Sequence, residues 1–397
     1  MKKNIEICAI NQHYQYIMRH LVSYFNDAVK EYWDLPAVTN FGKETYTYGQ
    51  LAENIARYHI LFKGVGIKKG DKVALYSRNS AEWVIAYYAT LTYGAVTVPF
   101  LPDFLPAAVA ELSSFSNCKL LIVDDYAVSS FKEDPSHFAV MEKNAGFVGV
   151  VNTKGMALVH SSDEILDKTL ATVDNEFASL YPNGISAADV DYYNDSFDME
   201  DVAEISFTSG TTSAPKGVML RYECISANVA FGQKRLPSYP GDTIVSMLPM
   251  AHMYGMMFEL IYPLCGSASI YYLGKTPTPA LLLGAMAEIK PYLVITVPLV
   301  MEKIFKSKVA PVVNKPVMKA ICAIPGLNQV IFKKIRTTLL NAFGGNVREI
   351  VMGGAALNPD VESWFKKFKL PYTVGYGMTE AAPLMAYEDW WDFVPKS

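Results

Sequence analysis

The sequence contains little cysteine and little histidine, and neither residue is clustered. An odd number of dispersed cysteines without a Cys-x-x-Cys pair is typical of reduced thiols, and it argues against a disulfide framework or a zinc site. The six histidines are dispersed as well, so no metal cluster is expected. This cysteine usage predicts a cytoplasmic protein. The five cysteines are Cys8, Cys118, Cys224, Cys265 and Cys322.

Charge and long apolar runs are also scarce. Charged residues make up 19% of the 397 residues, apolar residues make up 51%, and the net charge is −4. This balance predicts an ordered globular protein and gives no reason to expect nucleic-acid binding. The most apolar stretches, 83–101 and 244–273, are broken by glycine and proline, and the second also contains His252 and Glu259, so no membrane span is predicted. The first seven residues lack the apolar run of a signal peptide.

Short strands alternate with helices along the first part of the chain. Apolar residues recur at helical spacing over 51–65 and 81–93, and strand-like runs occupy 70–76, 94–99 and 119–124. Strands that alternate with helices of ten or more residues predict βαβ units and a largely parallel sheet. The fold class expected from this pattern is α/β.

A loop rich in hydroxyl groups is the most informative stretch. From Ile205 to Gly217 the chain reads ISFTSGTTSAPKG, with one cation, Lys216. Most Ser/Thr/Gly turns between strands bind nothing. Here the density of hydroxyl and backbone N–H donors beside a lysine favours binding of a polyanion such as a triphosphate. The hydroxyl groups belong to Thr208, Ser209, Thr211 and Thr212.

This loop is not a Walker A loop. Pro215 precedes Lys216 and Gly217 follows it, so the hydroxyl that would bind Mg²⁺ is missing from its place. A Walker A loop also opens a helix, whereas residues 217–220 read as a second strand and helical spacing begins near Tyr222. The sequence therefore predicts a hairpin of strand, loop and strand.

Two further stretches have residues suited to a nucleotide. Gly353 and Gly354 follow a predicted strand at 349–352, where paired glycines let a ligand approach the backbone closely. Residues 372–380 then place an aromatic ring, a hydroxyl group and a carboxylate close together. A carboxylate there is a hard oxygen ligand for Mg²⁺.

In this order and spacing, residues 208–217, 353–355 and 376–380 resemble the adenylate-forming superfamily of acyl-CoA synthetases, luciferases and peptide-synthetase adenylation domains. Residues 48–99 resemble the opening core motif of that superfamily, so the likeness covers nearly the whole chain. Residues 297–304 and 351–356 are most like long-chain fatty acyl-CoA synthetases. The resemblance implies the large N-terminal domain of the adenylate-forming fold, with stacked sheets flanked by helices.

The resemblance also implies how the chain is divided. We expect one α/β subdomain region over 1–204 and a second, with the ATP site, over 205–397, and we expect the two to interleave. Family members run well past 500 residues, and a mobile C-terminal lid domain follows the Tyr-Gly-Met-Thr-Glu motif. Because this chain ends at Ser397, we expect it to lack the lid domain, to bind ATP and acyl substrate, and not to complete acyl-CoA synthesis.

For ATP and Mg²⁺, the resemblance implies specific residues. The phosphates would be held by Thr208, Ser209, Gly210, Thr211, Thr212 and Lys216. The adenine would be bordered by Gly354 and Ala355, and Gly353 would also bind the nucleotide. The nucleotide would also contact Gly375, Tyr376, Gly377, Met378 and Thr379, with Tyr376 stacked on the base and Thr379 bonded to the α-phosphate. The metal would be bound by Glu380 and Thr211.

For the acyl substrate, His252 would lie near the carboxylate. The expected catalytic residues are Lys216, His252, Thr379 and Glu380. The expected acyl pocket consists of Met253, Tyr254, Met256, Val374 and Gly375, together with His252. Each has a plainer interpretation, because a lone histidine and a run of methionines are more often core residues.

The implied reaction joins a fatty acid to coenzyme A through an acyl-adenylate, with ATP as cosubstrate. Two alternatives remain at this point: adenylation of an aryl or amino acid, and a non-catalytic nucleotide- or lipid-binding homologue. One departure from the family pattern is Ser213, where glycine is usual. If the position needs a positive φ, serine costs on the order of 1 kcal/mol.

The stretch from Lys303 to Arg336 has eight basic residues and no acidic residue, interleaved with apolar ones. The plainer interpretation is a solvated helical face. The alternative is a basic, partly apolar surface that contacts an anionic membrane or an anionic cosubstrate. The sequence alone does not predict the oligomeric state.

Overall fold

A computed structural model of the chain describes residues 18–208, 215–274, 278–322, 324 and 326–394. The strands are β1 (Pro36–Asn40), β2 (Thr45–Thr47), β3 (Lys72–Tyr76), β4 (Val96–Phe100), β5 (Cys118–Val123), β6 (Gly149–Asn152), β7 (Leu158–Ser161), β8 (Val202–Thr208), β9 (Lys216–Arg221), β10 (Thr243–Ser246), β11 (Ser269–Tyr272), β12 (Leu293–Thr296), β13 (Glu349–Met352), β14 (Tyr372–Val374), β15 (Tyr376–Gly377) and β16 (Leu384–Ala386).

The helices alternate with these strands through most of the described chain. They are α1 (Leu21–Glu31), α2 (Tyr48–Gly64), α3 (Ala81–Thr92), α4 (Pro106–Phe115), α5 (Asp125–Glu133), α6 (Ser136–Met141), α7 (Glu164–Leu180), α8 (Tyr222–Arg235), α9 (Met253–Met256), α10 (Tyr262–Cys265), α11 (Pro279–Ile289), α12 (Pro298–Ile304), α13 (Ala310–Val313), α14 (Pro316–Cys322), α15 (Leu327–Ala342) and α16 (Pro359–Phe368). Single π-helical turns, Met257–Ile261 and Phe305–Val309, follow α9 and α12.

The largest sheet has seven strands in the order β7-β6-β5-β3-β4-β8-β9. Its central strands are parallel, and the antiparallel pairs β6–β7 and β8–β9 close the two edges. The βαβ pattern predicted from the alternating strands and helices is therefore confirmed, as is the α/β class.

Three smaller sheets complete the fold. One has the order β10-β11-β1-β2, one is the parallel set β12-β13-β14, and β15 pairs with β16. Because β1 pairs with β11 and β4 pairs with β8, strands from both predicted subdomain regions share the two larger sheets. The structure thus has no sheet boundary at residue 204.

Helix α3 joins the seven-stranded sheet to the four-stranded sheet. It begins at the N-cap Ser80, whose side chain accepts a hydrogen bond from Trp83 N, and it contacts β1, β3 and β4. All but one of its residues are buried, and Trp83 and Tyr87 are fully buried. A helix that is apolar on every side belongs between two layers, which explains the weak amphipathicity of this segment.

Helix α2 covers the same core and shows how local sequence sets a boundary. Thr47 and Gln50 form a reciprocal capping box at its start.

In the described part of the chain, no helix is long and apolar enough to cross a membrane. Cys118, Cys224 and Cys265 are free thiols.

Candidate functional site

The predicted hairpin is present at the edge of the seven-stranded sheet. Strands β8 and β9 are antiparallel, and Thr208 lies directly opposite Lys216. Thr208 is half-buried and Lys216 is exposed. Helix α8 begins at Tyr222, as the helical spacing predicted. The loop residues Ser209, Gly210, Thr211, Thr212 and Ser213 lie outside the described residues, so their proposed contacts with ATP remain predictions.

The glycine pair follows β13, at the carboxyl end of the three-stranded sheet. Gly353 N donates to the carbonyl oxygen of Thr296 at 3.2 Å. A Cβ at Gly353 would lie 2.9 Å from the Tyr254 ring, and Gly354 has a φ of +84°. Glycine is therefore favoured at both positions, for close approach at the first and for backbone conformation at the second. Ala355 follows and is exposed.

Tyr254 attaches the helical segment after His252 to the ends of these strands. Its hydroxyl group lies 3.2 Å from the carbonyl oxygen of Thr296 and 3.1 Å from that of Val351, as donor to either. Burial raises the pKa of Tyr254 well above its usual value, so the hydroxyl keeps its proton. Sequence reasoning assigned Tyr254 to an acyl pocket, and the structure adds this contact with Gly353.

His252 is the N-cap of helix α9. Its Nδ1 atom accepts a hydrogen bond from Tyr254 N at 3.2 Å, and the side chain is exposed. Surrounding protein lowers the pKa of His252 below its usual value through desolvation, which favours a neutral ring at pH 7. Because Nδ1 is an acceptor, the neutral ring carries its proton on Nε2 and can donate from there.

The methionines that follow His252 are buried. Met253 is 1% exposed and Met256 is 0% exposed, and both belong to the largest core cluster. Val374 is half-buried in β14, and Gly375 N donates to the carbonyl oxygen of Met352 at 2.8 Å. Burial of the two methionines agrees with the packing interpretation, and their role in an acyl pocket stays a prediction.

The segment after β14 forms a small two-stranded sheet and a turn. Tyr376 is 66% exposed, so its ring is available for stacking. Met378 N donates to the carbonyl oxygen of Pro383 at 2.9 Å, and a Cβ at Gly377 would lie 2.2 Å from that same oxygen. The 3₁₀ turn Thr379–Ala381 follows, and β9 contacts this turn.

The turn is bonded to helix α8 by Asn228, which sequence reasoning missed. Asn228 lies on α8, directly after the hairpin, and is buried. Its Nδ2 atom donates to the carbonyl oxygen of Ala381 at 3.2 Å, and its Oδ1 atom accepts from Leu384 N at 3.1 Å. One side chain therefore satisfies backbone groups on both sides of the turn that follows Thr379 and Glu380. A helical asparagine in an unremarkable sequence context carried no signal of this role.

A buried carboxylate fixes the chain before His252. Glu259 is 0% exposed, and its Oε2 atom accepts hydrogen bonds from Ser246 Oγ at 2.9 Å, Met247 N at 3.0 Å and Leu248 N at 2.9 Å. Asn79 completes the contact, because its side chain bonds the Leu248 carbonyl oxygen. Glu259 lies in the π-helical turn after α9, and such turns occur often at functional sites. The signal was available, since a charge inside an apolar stretch needs a partner.

The structure therefore brings together two groups of predicted residues. Thr208 and Lys216 lie on the hairpin that contacts the Thr379–Ala381 turn, while His252 and Tyr254 begin the segment that contacts Gly353. Within the described residues, neither Lys216 nor Glu380 forms an ion pair, and Glu380 is exposed. A cation and a carboxylate without ion-pair partners thus lie on two segments that contact each other.

This fold and this arrangement match a known family. A family model described as AMP-binding enzyme matches residues 25–396, so the chain belongs to the AMP-binding enzyme family. The family is that of the adenylate-forming ligases, as the spacing of the three motifs predicted.

Among curated relatives, long chain acyl-CoA synthetase 5 of Arabidopsis thaliana is 26% identical over 375 residues, which are 84% of this chain and 52% of the relative. The 4-coumarate–CoA ligase CCL1 of Humulus lupulus is 27% identical over 384 residues, which are 94% of this chain and 60% of the relative. The chain spans between one half and two thirds of the length of these two relatives.

Solved structures share the fold. An inhibitor-bound N-terminal domain of FACL13 from Mycobacterium tuberculosis has a TM-score of 0.65 at 17% identity, covering 92% of this chain and 77% of that one. The anthranilate CoA ligase AuaEII in complex with anthranoyl-AMP has a TM-score of 0.69 at 17% identity, and the match covers 96% of this chain and 63% of that one. ATP-bound MatB from Rhodopseudomonas palustris has a TM-score of 0.66 at 20% identity, with 94% and 63% covered. The predicted fold, the N-terminal domain of an adenylate-forming enzyme, is confirmed.

Replacing Asn228 with alanine should loosen the turn next to Glu380. The change leaves the Leu384 N–H and the Ala381 carbonyl unpaired in a partly buried place, so we expect a loss of about 1–3 kcal/mol in the free energy of unfolding. Denaturant titration measures this loss. Asn54→Ala is the matched control, because Asn54 donates only to the Gln50 carbonyl within its own helix. Equal losses for the two variants would contradict the assignment.

Burial of Glu259 should make stability depend on pH. Burial raises the pKa of Glu259 from 4.5 to about 8, so between these values the folded state holds a proton that the unfolded state has lost. The free energy of unfolding therefore falls as pH rises through this window. Glu204 and Glu349, with pKa values raised by burial to about 7, act in the same direction.

As the pH is raised from about 5 to about 8, we expect the free energy of unfolding to fall less in Glu259→Gln than in the parent protein. Glutamine keeps an oxygen that accepts from Ser246 Oγ and the two backbone N–H groups, but it cannot ionise. Urea titrations at several pH values measure the slope. Glu133→Gln, which removes an exposed carboxylate, is the control. Parallel profiles for Glu259→Gln and the parent protein would show that Glu259 does not set the slope.

Proposed function

We propose that this chain holds the ATP and carboxylate sites of an enzyme that activates a long-chain fatty acid, first to the acyl-adenylate and then to acyl-CoA. The supporting observation is that Lys216 lies on β9 and Glu380 lies in the turn that β9 contacts, and that neither forms an ion pair within the described residues. The long-chain acyl-CoA synthetase named above supports the choice of acid. We place the enzyme in the cytoplasm, where its free thiols stay reduced.

The first step joins two anions. A carboxylate oxygen attacks the α-phosphorus of ATP, the bond from that phosphorus to the bridging oxygen breaks, and pyrophosphate leaves. Lys216 and the hydroxyl groups of the hairpin would offset the charge on the β- and γ-phosphates, and Thr379 would donate to the α-phosphate. Tyr376 would stack on the adenine, since two thirds of its surface is exposed.

The carboxylate itself would be oriented by His252. The Nε2–H of its neutral ring is free to donate, because Nδ1 is engaged by Tyr254 N. A neutral donor binds a carboxylate oxygen without holding it as tightly as an ion pair would, which keeps the oxygen nucleophilic. In the second step the thiol of coenzyme A loses its proton to solvent and its sulfur attacks the acyl carbonyl carbon. The bond from that carbon to the phosphate oxygen breaks, and AMP leaves.

The residues present fit a magnesium ion. Mg²⁺ is commonly held by one or two carboxylates together with substrate phosphates, rather than by a cage of protein ligands. Glu380 is exposed and unpaired among the described residues, and they contain no cluster of three or more potential ligands. Glu380 would therefore hold the ion against the phosphates, where it neutralises charge as pyrophosphate departs.

A second candidate acid class is aromatic. The 4-coumarate–CoA ligase matches more of this chain than the long-chain synthetase does, at a similar identity. A panel of fatty, aryl and amino acids in a pyrophosphate-release assay separates the two candidates. Release that depends on aryl acids and not on fatty acids would favour the second. Binding of ATP without any acid-dependent release would favour a non-catalytic homologue.

In a protein of the relatives' length, Lys216→Ala and Glu380→Ala should each lower the rate of acyl-adenylate formation by about 100-fold. The first change removes a positive charge that would stabilise the leaving pyrophosphate, and the second removes the carboxylate that would hold Mg²⁺. Pyrophosphate release with palmitate and ATP measures the rate. Lys132→Ala and Glu133→Ala, at exposed positions on α5, are the matched controls. Full rates in the Lys216 and Glu380 variants would contradict the assignment.

The 397-residue chain gives an independent test by calorimetry. We expect it to bind ATP with Mg²⁺, and we expect the Lys216 and Glu380 variants to bind more weakly than the two controls. We also expect no completed acyl-CoA synthesis by this chain. Pyrophosphate release dependent on fatty acid, at a rate near that of full-length relatives, would overturn this last expectation.

A further inference from the structure

Helices α13, α14 and α15 present an exposed surface that is both basic and apolar. Five large apolar side chains are exposed there by 41–70%: Val312, Val317, Ile324, Leu327 and Val330. Six exposed lysines lie along the same stretch, three of them on α12 and on the π-helical turn that contacts α13: Lys303, Lys306, Lys308, Lys315, Lys333 and Lys334. These eleven side chains are called the basic-apolar face below. The three helices contact one another in succession, α13 with α14 and α14 with α15.

Helix α15 shows that the apolar exposure is not a by-product of packing. Phe332 and Ile335 pack against the core, and Leu339 is buried. Leu327, Val330 and Lys334 are three and four residues apart, so they share a different face of the same helix. Because Val330 is 65% exposed, this second face is open to solvent. A helix whose outer side only faces water carries polar residues on that side. A solvated helical face, which is the plainer interpretation of residues 303–336, therefore does not account for α15.

The lysines of this face are unpaired. Within the described residues, no ion pair involves a basic residue between 303 and 336. The same stretch contains no acidic residue, although the whole chain has a net charge of −4. A local positive field is therefore concentrated around exposed apolar side chains.

We propose that the basic-apolar face docks the protein on an anionic lipid bilayer. Lysines next to an anionic membrane attract its headgroups, and valine, isoleucine and leucine side chains gain by entering the boundary between headgroups and acyl chains. The charge and the apolar groups would act together, because neither alone gives more than weak binding. This docking is independent of which acid the enzyme activates.

Charge complementarity selects the bilayer over other occupants. A second copy of the chain on a twofold axis would set these lysines against the same lysines, and like charges in contact are unfavourable. A soluble anionic cosubstrate would use the lysines but not apolar side chains spread over three helices. An anionic bilayer complements both features.

Vesicle flotation tests the proposal. The 397-residue chain should float with vesicles of phosphatidylcholine and phosphatidylglycerol, and it should stay unbound with phosphatidylcholine alone. The triple variant Lys306→Gln, Lys308→Gln, Lys334→Gln should partition about 100-fold more weakly, at about fivefold for each lysine neutralised. Val317→Ser with Val330→Ser should also weaken binding by about 10-fold or more.

Matched controls change the same residue types elsewhere on the surface. The charge control is Lys63→Gln, Lys132→Gln, Lys143→Gln, and the apolar control is Phe115→Ser with Leu180→Ser, all at exposed positions. Both controls should float like the parent chain. Thermal unfolding verifies that each variant is folded. Surface changes of this kind shift stability little, so the variants remain interpretable.

Several outcomes would overturn the proposal. One is failure of the parent chain to bind anionic vesicles. Another is an equal loss of binding in the control variants. Dimers that dissociate in the Val317/Val330 variant would assign the face to a second copy, and release by coenzyme A at constant ionic strength would assign it to a soluble anion. Vesicle binding by this chain but not by a protein of the relatives' length would show that another segment covers the face.

Discussion

The close contact between Tyr254 and Gly353 determines the shape of the site. A Cβ at position 353 would lie 2.9 Å from the Tyr254 ring, and the Tyr254 hydroxyl group bonds the backbone carbonyls of Thr296 and Val351. A larger residue at 353 would push the helical segment away from the strand ends. Because His252 caps that same segment, the contact and the two hydrogen bonds of Tyr254 help to set its position relative to the glycine pair.

Two buried polar side chains fix further backbone segments near that contact. Glu259 fixes the chain that leads into His252, and Asn228 fixes the turn that follows Glu380. Neither was predicted to face a ligand. A buried polar group without partners costs free energy, so each of these side chains holds several backbone groups in one arrangement. The residues proposed to contact ATP and the acid are thus positioned by residues behind them.

Much of the fold could be predicted from local pattern. The hairpin around Lys216, the start of α8 at Tyr222 and the strand 349–352 were all predicted within about one residue, because hydrophobic periodicity and turn residues act over a few positions. Glu259 could be expected to need a partner, as a charge inside an apolar stretch, but local pattern did not identify Ser246. Asn228 could not be assigned a role, since its partner Ala381 is 153 residues away in sequence. Hydrogen bonding across such distances leaves little mark on local pattern.

By itself, the sequence determined the α/β class, the order of the three motifs and the concentration of positive charge between 303 and 336. These depend on composition and on spacing along the chain. Only the tertiary structure decided that β1 pairs with β11, that Met253 and Met256 face the core, and that Val317 and Val330 face solvent. Burial is a property of packing between distant segments, and one sequence position cannot specify which neighbour will cover it.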